Sequence, residues 1–433
     1  MLNQLKKLVK KDVPSKLKGM QDLTNENYYL YQGLFEKAQE VAIYYGFKPI
    51  ETPILEREDL FTTSIGEGTD IIEKEMYTLR TKGGDKLAMR PEYTAGIMRA
   101  YIEHGMQTLP QPVMLYYSGS CFRHENPQRG RLRELRQFGL EIIGTEKSIT
   151  DAMIIRTTAT ILEEFGLKDS YVDINSMGDK DSRAIYVREL TNYYKKHAGE
   201  ICSNCTERLK TNPLRLLDCK EERCQPLKEH APASISYLNH ASKQHLKEVL
   251  ENLEEAGIAY RINNNLVRGL SYYTRTVFEF IEPAIEEGQA PLTIAGGGRY
   301  DYLGRMLGAK KDTPAVGMGL GLDRVVQSAW RKDLCPRILK KPKICFIQLG
   351  IEAKMKSLRV IEILRKAKIP IVHALSKDSL MSQLSMAEEL QVPYAIIFGQ
   401  KEAIDDSVIV RNMEHRSQES VKIEHLSDYL KKL

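Results

Sequence analysis

Apolar residues recur at helical spacing from residue 25 to residue 46. A period of about 3.6 residues predicts an amphipathic helix with one face packed on a core. Gly46 follows the last apolar position and favours the end of the helix there. The predicted apolar face comprises Tyr31, Leu34, Phe35, Ala38, Val41 and Ala42.

The next segment, "FKPIETPILE" at residues 47–56, is strand-like but contains Pro49 and Pro53. Because proline donates no ladder hydrogen bond, we expect an edge strand or an interface there. Residues 113–144 predict a β-hairpin, and residues 184–255 predict an insertion made mainly of helices.

Strand-like segments return at residues 258–282 and 291–295. The charged stretch "RKDLCPRILKKPK", residues 331–343, contains two prolines and is typical of a linker. Beyond it, strand patterns such as "ICFIQLG" and "PYAIIFG" alternate with helical patterns. This alternation predicts a small α/β domain with a parallel or mixed sheet.

Composition favours a globular chain that can bury a substantial core. The chain is 42% hydrophobic and 28% charged. Its length of 433 residues suggests about two to three domains. Lys and Arg outnumber Asp and Glu by 63 to 58, which permits a polyanionic partner without requiring one. The basic start, residues 1–19, lacks the apolar run of a secretory signal. Seven cysteines in such a chain favour the reducing cytoplasm.

The predicted hairpin has two different faces, because alternate side chains of a strand share a face. Phe122 joins Phe138, Leu140 and Ile142 on an apolar face. The other face collects Gly119, Arg123, Glu125, Gln137, Gly139 and Glu141, while the long loop between the strands holds Arg129, Arg131 and Arg133. This alternation fits a salt-bridged sheet facing water as well as the polar floor of a pocket.

Six segments in order resemble class II aminoacyl-tRNA synthetases and, among these, the histidyl-tRNA synthetases of bacterial type. They are "GFKPIETPILE" (46–56), "AMRPEYTAGIMRAYIEHG" (88–105), "FRHENPQRGRLRELRQFGLEIIG" (122–144), "LVRGLSYYTRTVFEF" (266–280), "AGGGRYD" (295–301) and "AVGMGLGLDRVV" (315–326). Several segments in family order are far more specific than any single one, so the resemblance favours the pocket over the water-facing sheet.

The resemblance implies an α+β catalytic domain at residues 1–335, with an antiparallel sheet flanked by helices and the helical insertion at about 184–255. It implies a linker at 336–343 and a C-terminal α/β anticodon-binding domain at 344–433. The implied activity is a ligase that joins L-histidine to ATP as histidyl-adenylate, releases pyrophosphate, and transfers histidine to the 3′ end of tRNA(His). Mg²⁺, a homodimer and a cytoplasmic location are implied as well.

The resemblance also implies roles for three arginines and a glutamate at the nucleotide. Arg123 would grip the α-phosphate, and Arg268 would contact both that phosphate and the histidine carboxylate, so these two are the expected catalytic residues. Arg324 would bind the γ-phosphate and Glu125 the adenine amino group. Cationic groups suit this reaction because negative charge concentrates at the phosphorus.

By the same resemblance, Glu141 and Tyr273 would meet the two nitrogens of imidazole, whose intrinsic pKa of about 6.5 leaves both charge forms accessible. The residues implied to bind histidine are Glu92, Tyr93, Thr94, Arg123, Gln137, Glu141, Arg268, Tyr272, Tyr273 and Tyr300. The successive glycines of residues 296–298 favour close approach of the backbone to a flat ligand, with a flexible turn as the alternative.

Two positions depart from the family pattern. Ser271 stands where an aspartate is usual, so the resemblance does not imply a local carboxylate contact at this position. Tyr93 replaces a glycine, and a positive φ at that position would be costly for tyrosine.

Four cysteines form a separate motif: Cys202, Cys205, Cys219 and Cys224 follow a C-x₂-C, C-x₄-C arrangement. Two interpretations remain open, namely a tetrahedral structural zinc site or four reduced thiols within a helical insertion.

Two other functions compete with the ligase. A non-catalytic regulatory subunit of the histidine-biosynthetic ATP phosphoribosyltransferase would keep the fold but lose ATP-binding arginines and the C-terminal domain. A pure RNA-binding or signalling module would tolerate loss of the pocket residues. The chain keeps Arg123, Arg268, Arg324 and the C-terminal segment, which favours the ligase.

Overall fold

The computed structural model describes residues 14–66, 68–128, 130–284, 291–328, 330–374 and 376–433. Most of the basic start, residues 1–13, lies outside this part, as does Arg129 of the hairpin loop. The chain divides into two compact units, with the division between Pro336 and Arg337. Within the described residues, no helix combines the length and the apolar character needed to cross a membrane.

The first unit contains ten α-helices among its described residues. They are α1 (Asn25–Tyr44), α2 (Glu58–Ile65), α3 (Thr94–Glu103), α4 (Ile149–Phe165), α5 (Lys180–Lys196), α6 (Ser203–Thr211), α7 (Gln225–Glu229), α8 (His240–Glu255), α9 (Leu303–Met306) and α10 (Leu322–Gln327). Short 3₁₀ turns cover Met106–Thr108, Pro213–Leu216, Glu222–Cys224 and Ser234–Tyr237, and a π-helical turn covers Ile71–Glu75.

The strands of the first unit form two sheets. They are β1 (Lys48–Pro49), β2 (Leu55–Arg57), β3 (Thr78–Arg80), β4 (Lys86–Met89), β5 (Val113–Phe122), β6 (Glu134–Ile143), β7 (Tyr171–Ser176), β8 (Tyr260–Ile262), β9 (Thr274–Glu282), β10 (Leu292–Arg299) and β11 (Ala315–Gly321). The large sheet has the order β1-β5-β6-β11-β10-β9-β7-β8, and β2-β4-β3 form a small antiparallel sheet.

The six central strands of the large sheet, from β5 to β7, pair antiparallel. Parallel pairs occur only at its two edges, where β1 pairs with β5 and β8 pairs with β7. The antiparallel sheet flanked by helices that the sequence predicts is therefore confirmed. The edge position of the short β1, which ends at Pro49, agrees with the expected effect of proline.

Helix α1 covers one face of this sheet, and its predicted apolar positions account for its packing. Tyr31, Leu34 and Ala38 are buried in the same cluster as residues of α4 and β6. The helix ends at Tyr44, and Gly46 takes φ +91°, a value that favours glycine. The hydrophobic period thus decided both the face and the approximate end of this helix.

The hairpin is formed by β5 and β6, and one of its faces joins the same core. Phe138, Leu140 and Ile142 are buried in the cluster that contains the apolar face of α1. Phe122, expected beside them, is buried outside that cluster. The first strand ends at Phe122, so Arg123 and Glu125 lie in the loop and not on the strand as predicted.

The insertion is mainly helical, as predicted, although its first helix, α5, begins at Lys180 and not near residue 184. The side chain of Asp179 caps α5 by accepting a hydrogen bond from the backbone N–H of Ser182 at 2.9 Å. Aspartate is a favoured N-cap residue, so this earlier start had a local signal.

The second unit is the predicted small α/β domain. Its strands are β12 (Ile344–Gln348), β13 (Ile371–His373), β14 (Tyr394–Phe398), β15 (Ser407–Asn412) and β16 (Gln418–Lys422), and its helices are α11 (Ile351–Lys366), α12 (Leu380–Glu389), α13 (Gln400–Ile404) and α14 (Ile423–Leu430). The sheet order is β13-β12-β14-β15-β16, with parallel pairing among the first three strands and antiparallel pairing beyond. The expectation of a parallel or mixed sheet is confirmed as mixed.

Candidate active site

One cavity of about 770 Å³ opens on the face of the large sheet opposite α1, and it brings the three predicted phosphate-binding arginines together. Arg123 comes from the hairpin loop, Arg268 from the segment before β9, and Arg324 from α10. Their sequence positions span two hundred residues, yet all three line the same space. The polar face of the sheet is therefore a pocket wall and not a water-facing surface.

Arg123 is oriented by the main chain. Its Nε donates a hydrogen bond of 2.8 Å to the carbonyl oxygen of Pro91. Its Nη1 lies 3.9 Å from Glu125 Oε1, and Arg131 lies 3.3 Å from the other oxygen of that carboxylate. The guanidinium of Arg123, which lines the cavity, is thus held at one edge by the main chain.

Arg268 pairs with a carboxylate that the sequence analysis did not single out. Its Nη1 forms a close ion pair with Glu279, a residue of β9, and Thr293 donates a hydrogen bond of 3.2 Å to the second Glu279 oxygen. The guanidinium also lies over Gly296 of β10, where a Cβ atom would stand only 2.6 Å from Nη1. The glycine segment therefore permits close approach, as predicted, but of this arginine.

Arg324 is a largely enclosed cation without a carboxylate partner. It donates hydrogen bonds to the carbonyl oxygens of Thr293 at 2.5 Å and Gly130 at 3.4 Å. Among the described residues, no carboxylate lies within ion-pair distance of it. Burial, together with the nearby charge of Arg131, lowers the pKa of Arg324 to about 10. A bound anion would relieve both effects.

Glu92 and Thr94 form the end of the cavity beside α3. The carboxylate of Glu92 accepts hydrogen bonds from the backbone N–H groups of Thr94 at 2.6 Å and Ala95 at 2.8 Å, so it caps the start of α3. Tyr272 donates a third hydrogen bond to Glu92 at 3.3 Å. Burial raises the pKa of Glu92, while the two backbone hydrogen bonds lower it.

Glu141 lies immediately behind Thr94 and is fully buried. It accepts a hydrogen bond of 2.7 Å from the Thr94 hydroxyl and a short one from the Tyr300 hydroxyl. Burial raises the pKa of Glu141 to about 8, against the effect of these two hydrogen bonds. Gly317 leaves the space for this carboxylate, because a Cβ there would overlap a Glu141 oxygen.

Most of the residues expected to bind histidine line the cavity, but three do not. Those that line it are Glu92, Thr94, Arg123, Gln137, Arg268, Tyr272 and Tyr273. Glu141 and Tyr300 are buried behind the residues that line the cavity, and Tyr93 is buried beside the hairpin.

Tyr93 corrects two expectations. Its ring stacks on Tyr117, with the ring centroids 4.1 Å apart, and the guanidinium carbon of Arg90 lies 4.0 Å from the Tyr93 ring centroid. Its φ of −99° is ordinary for tyrosine, so replacement of the family's glycine causes no backbone strain. The room left by Gly119 is filled by the Tyr93 hydroxyl, and that left by Gly139 by the Tyr117 ring. These glycines accommodate aromatic side chains and not a ligand.

Ser271, the second departure from the family pattern, is also accommodated by its neighbours. Its carbonyl oxygen accepts a hydrogen bond of 2.8 Å from Arg183, which also donates to the carbonyl of Tyr273 at 3.2 Å. Burial lowers the pKa of Arg183. Arg183 thus finds its hydrogen-bond acceptors in the main-chain carbonyl oxygens of Ser271 and Tyr273. The family pattern has an aspartate at position 271, where this chain has serine.

Several cavity residues were missed by the sequence analysis. Glu279 had a local signal, since it is the polar position between Phe278 and Phe280 on a strand. Asp70 and Arg215 had none, because they form a close ion pair across 145 positions of sequence. The insertion therefore contributes to the cavity wall, through residues 202–221.

The four clustered cysteines are brought together and are all buried. Their sulfur atoms all lie within 4.8 Å of one another, and the sulfurs of Cys202 and Cys219 are 3.8 Å apart. Among the described residues, these cysteines form the only group of three or more side chains of ligand type arranged around one point.

Comparison with known protein families assigns both units. The family model described as "Histidyl-tRNA synthetase" matches residues 19–325. A second model, described as "Anticodon binding domain", matches residues 343–433.

Individual relatives agree over nearly the whole chain. A histidine–tRNA ligase of Dehalococcoides mccartyi is 40% identical over 415 residues, which covers 96% of this chain and 98% of the relative. The crystal structure of apo histidyl-tRNA synthetase from S. aureus superposes with a TM-score of 0.79 at 31% identity, covering 97% of this chain and all of that one. A structure described as an ATP phosphoribosyltransferase regulatory subunit/histidyl-tRNA synthetase from Bacillus halodurans has a TM-score of 0.62 at 21% identity, covering 90% and 98%, a likeness of fold alone.

Proposed function

The chain belongs to the histidyl-tRNA synthetase family, and we propose that the cavity lined by Arg123, Arg268 and Arg324 is where it activates histidine. Its activity is the ligation of histidine to tRNA at the expense of ATP. In the first step, a carboxylate oxygen of histidine attacks the α-phosphorus of ATP, and pyrophosphate leaves. In the second, the 3′-terminal hydroxyl of tRNA attacks the carbonyl of histidyl-adenylate, and AMP leaves.

The convergence of three arginines in one cavity is the observation that supports this assignment. Charge accumulates on the α-phosphorus oxygens in the transition state, and cations held in place before the reaction stabilise that charge without reorganisation. Arg123 would grip the α-phosphate, and the hydrogen bond to Pro91 that fixes one edge of its guanidinium supports this role. Arg268 would contact the α-phosphate and the histidine carboxylate together, which aligns the attacking oxygen with the phosphorus.

Arg324 and Glu125 complete the proposed nucleotide site. The γ-phosphate would lie against Arg324, whose enclosed charge has no carboxylate partner in the described part of the chain. Glu125 lines the same cavity and would accept a hydrogen bond from the adenine amino group. This order places the phosphates between Arg324 and the Arg123–Arg268 pair.

The proposed histidine site lies at the α3 end of the cavity. Glu92, Thr94 and Gln137 would hold the amino and carboxylate groups, with Tyr272 fixing Glu92 through its hydroxyl. The imidazole would meet Tyr273 at the lining and Glu141 just behind it. Because Tyr300 and Thr94 already donate to Glu141, an imidazole N–H would be a further donor to a preorganised carboxyl group.

Tyr93, for which a direct histidine contact was expected, has a supporting role in this proposal. Its ring braces Tyr117, and Tyr117 lines the cavity. The side chain of Tyr93 itself faces the hairpin backbone at Gly119.

Mg²⁺ is proposed as the cation that accompanies ATP. Glu75 and Glu125 both line the cavity, and burial together with the charge of Glu125 raises the pKa of Glu75. A cation beside Glu75 would offset this repulsion, and Mg²⁺ commonly binds one or two carboxylates together with nucleotide phosphates. When bound, it would neutralise part of the charge of the leaving pyrophosphate.

A homodimer is proposed on the basis of an exposed apolar surface next to the edge of the large sheet. Ile43 and Tyr44 at the end of α1 are 58% and 85% exposed, and Ile54 and Leu55 are 47% and 48% exposed. Exposed large apolar side chains that lie close together in sequence favour an interface. Light scattering on the purified protein should give twice the chain mass of 49.5 kDa, and Tyr44→Asp should lower it toward the monomer.

We also propose that the protein acts on tRNA(His) in the cytoplasm. The second unit matches an anticodon-binding model, and an odd number of cysteines in a chain of this length favours a reducing compartment. The regulatory-subunit alternative is less supported, because the chain keeps the arginines at the cavity and the second unit.

Amino-acid-dependent ATP–pyrophosphate exchange tests the proposed function directly. The purified chain should exchange labelled pyrophosphate into ATP with histidine and with no other proteinogenic amino acid. A folded protein that exchanges with none would falsify activation at this site, whereas exchange with a different amino acid would refute the assignment of histidine.

A further inference from the structure

We propose that Cys202, Cys205, Cys219 and Cys224 bind one structural Zn²⁺, and that this metal site builds one wall of the catalytic cavity. The inference goes beyond the proposed function, since histidine activation as derived above uses none of these cysteines. It concerns how the insertion is attached to the rest of the first unit.

The spacing of the sulfur atoms fits a tetrahedral metal site. With Zn–S bonds of about 2.3 Å, the edge of a regular tetrahedron of sulfurs is about 3.8 Å. The observed separation of the Cys202 and Cys219 sulfurs is 3.8 Å, and all four sulfurs lie within 4.8 Å of one another. A disulfide would require about 2.05 Å between two sulfurs, so the cluster is not arranged as two bridges.

The backbone around the sulfurs is held by hydrogen bonds typical of a metal knuckle. The backbone N–H of Cys202 donates to the sulfur of Cys224 at 3.3 Å, which would stabilise a thiolate. Gln225 donates to the carbonyl oxygens of Cys219 at 2.9 Å and Glu221 at 3.1 Å. The first of these contacts joins the two knuckles, and the two from Gln225 hold the second knuckle together.

Arg223 ties the second knuckle to the first from outside. Its guanidinium donates to the carbonyl oxygens of Gly199 and Glu200, each at 3.1 Å. Four thiolates around Zn²⁺ have a net charge of about −2, and a nearby guanidinium partly compensates it. All four sulfur ligands come from the protein, which leaves no open position for a substrate and makes the site structural.

The metal site would lie directly in the wall of the cavity. Cys202 and Cys219 line the cavity, as do Lys220 and Glu221 next to them. Arg215, which lies between the two pairs of cysteines in sequence, forms the close ion pair with Asp70, and both residues line the cavity. A metal that joins residues 202–205 to residues 219–224 therefore fixes the position of this wall.

The tetrahedral spacing of the four sulfurs favours zinc, although sulfur ligands also suit iron. A mononuclear zinc site needs no redox partner and persists in a reducing compartment. An iron–sulfur cluster would make the protein brown, so absorbance distinguishes the two.

The first test is metal analysis of the full-length protein, purified under reducing conditions without chelator. We expect about one zinc per chain, the stoichiometry of a Cys₄ site. Cys219→Ser should lower the zinc content to less than about one tenth of this value. The matched control is Cys335→Ser, which removes an exposed cysteine outside the cluster and should keep the metal.

The second test needs no variant and so does not depend on a variant folding. Zinc-edge X-ray absorption should show four sulfur neighbours at about 2.3 Å, and removal of zinc with a chelator should lower the thermal unfolding midpoint. Wild-type protein with far less than one zinc per chain, fewer than four sulfur neighbours, or iron–sulfur absorbance would overturn the proposal. Pyrophosphate exchange measured on the same preparation keeps a failure here separate from a failure of the proposed function.

Discussion

Burial sets the chemistry of two single residues in the cavity in opposite directions. It lowers the pKa of Arg324 to about 10 and raises that of Glu141 to about 8. In each case the charged form lacks part of the compensation that a ligand would supply: a phosphate for the arginine and an imidazole N–H for the glutamate. Both side chains should therefore favour a charged or polar ligand group that stabilises their charged form.

Arg268→Gln tests the transition-state role of that arginine. Loss of one preorganised donor should lower the rate of histidine-dependent pyrophosphate exchange by about 10²–10³-fold. The exchange rate of Arg268→Lys should lie between those of the wild type and Arg268→Gln, because lysine keeps the charge but loses the planar guanidinium.

The control for these variants is Arg305→Gln, which removes an exposed arginine paired with Asp312 at 3.4 Å. It should exchange pyrophosphate at the wild-type rate. An Arg268→Gln enzyme that is folded and retains wild-type exchange would contradict the assigned role.

Glu141→Gln tests the raised pKa of the buried carboxyl group. Since its folded pKa of about 8 lies above the unfolded value of about 4.3, the protonated form favours folding. This contribution is complete below the unfolded pKa and is lost as the pH rises through about 8. As the pH rises from 5 to about 8, the thermal unfolding midpoint of the wild type should therefore decrease relative to that of Glu141→Gln.

Thermal unfolding at several pH values, without ligands, measures this difference. The exposed Glu229→Gln should follow the wild-type profile. If the midpoints of wild type and Glu141→Gln stay parallel over this range, Glu141 does not titrate there.

At the level of elements, β9 and β10 position Arg268 without contributing a loop. Glu279 of β9 supplies the ion-pair partner, and Gly296 of β10 supplies the flat surface on which the guanidinium lies. These two residues are directly opposite each other in the antiparallel register. The β9–β10 pair thus supplies both the carboxylate that pairs with Arg268 and the surface that sets the height of its guanidinium above the sheet.

Gly296→Ala tests this positioning. The added Cβ would lie 2.6 Å from Arg268 Nη1 and should displace the guanidinium toward the ligand space. Since a displacement of about 1 Å can cost about 10²-fold in rate, pyrophosphate exchange should fall by about that factor. The unfolding midpoint should change little, because the displaced group is the end of a flexible side chain.

The matched substitution is Gly199→Ala, where a Cβ would meet nothing within 4 Å. It should leave both exchange and stability unchanged. Equal exchange rates in the two alanine variants would show that the position of Arg268 over the sheet does not matter for activation.

At the level of the whole molecule, each unit has a core of its own. The apolar side chains of α11, β12 and β14 pack with those of β15 and α14, and none of this cluster comes from the first unit. Among the residues that the structure describes, all that line the cavity belong to the first unit. Amino acid activation in the first unit and anticodon binding by the second unit are therefore expected to be separable.

Deletion of residues 343–433 tests this separation. We expect histidylation of tRNA to fall much more than histidine-dependent pyrophosphate exchange, because activation needs only the cavity. Both activities are measured on the same truncated protein, with circular dichroism to verify its fold. An equal loss of both activities in a folded truncation would count against the division.

The sequence by itself determined the elements whose signals are local. The apolar period predicted the buried face of α1, and the alternation in β6 predicted which side chains face the core. Motifs in family order identified the arginines of the cavity. The buried faces depend on residues a few positions apart, for which helix and strand geometry fixes the direction of each side chain, whereas the arginines were found only through the family resemblance.

Only the tertiary structure decided which groups meet in the cavity. It filled the spaces at Gly119 and Gly139 with Tyr93 and Tyr117, and placed Glu141 behind Thr94. It also paired Arg215 of the insertion with the distant Asp70. Such contacts depend on the packing of several elements at once, so no periodicity along the chain could reveal them.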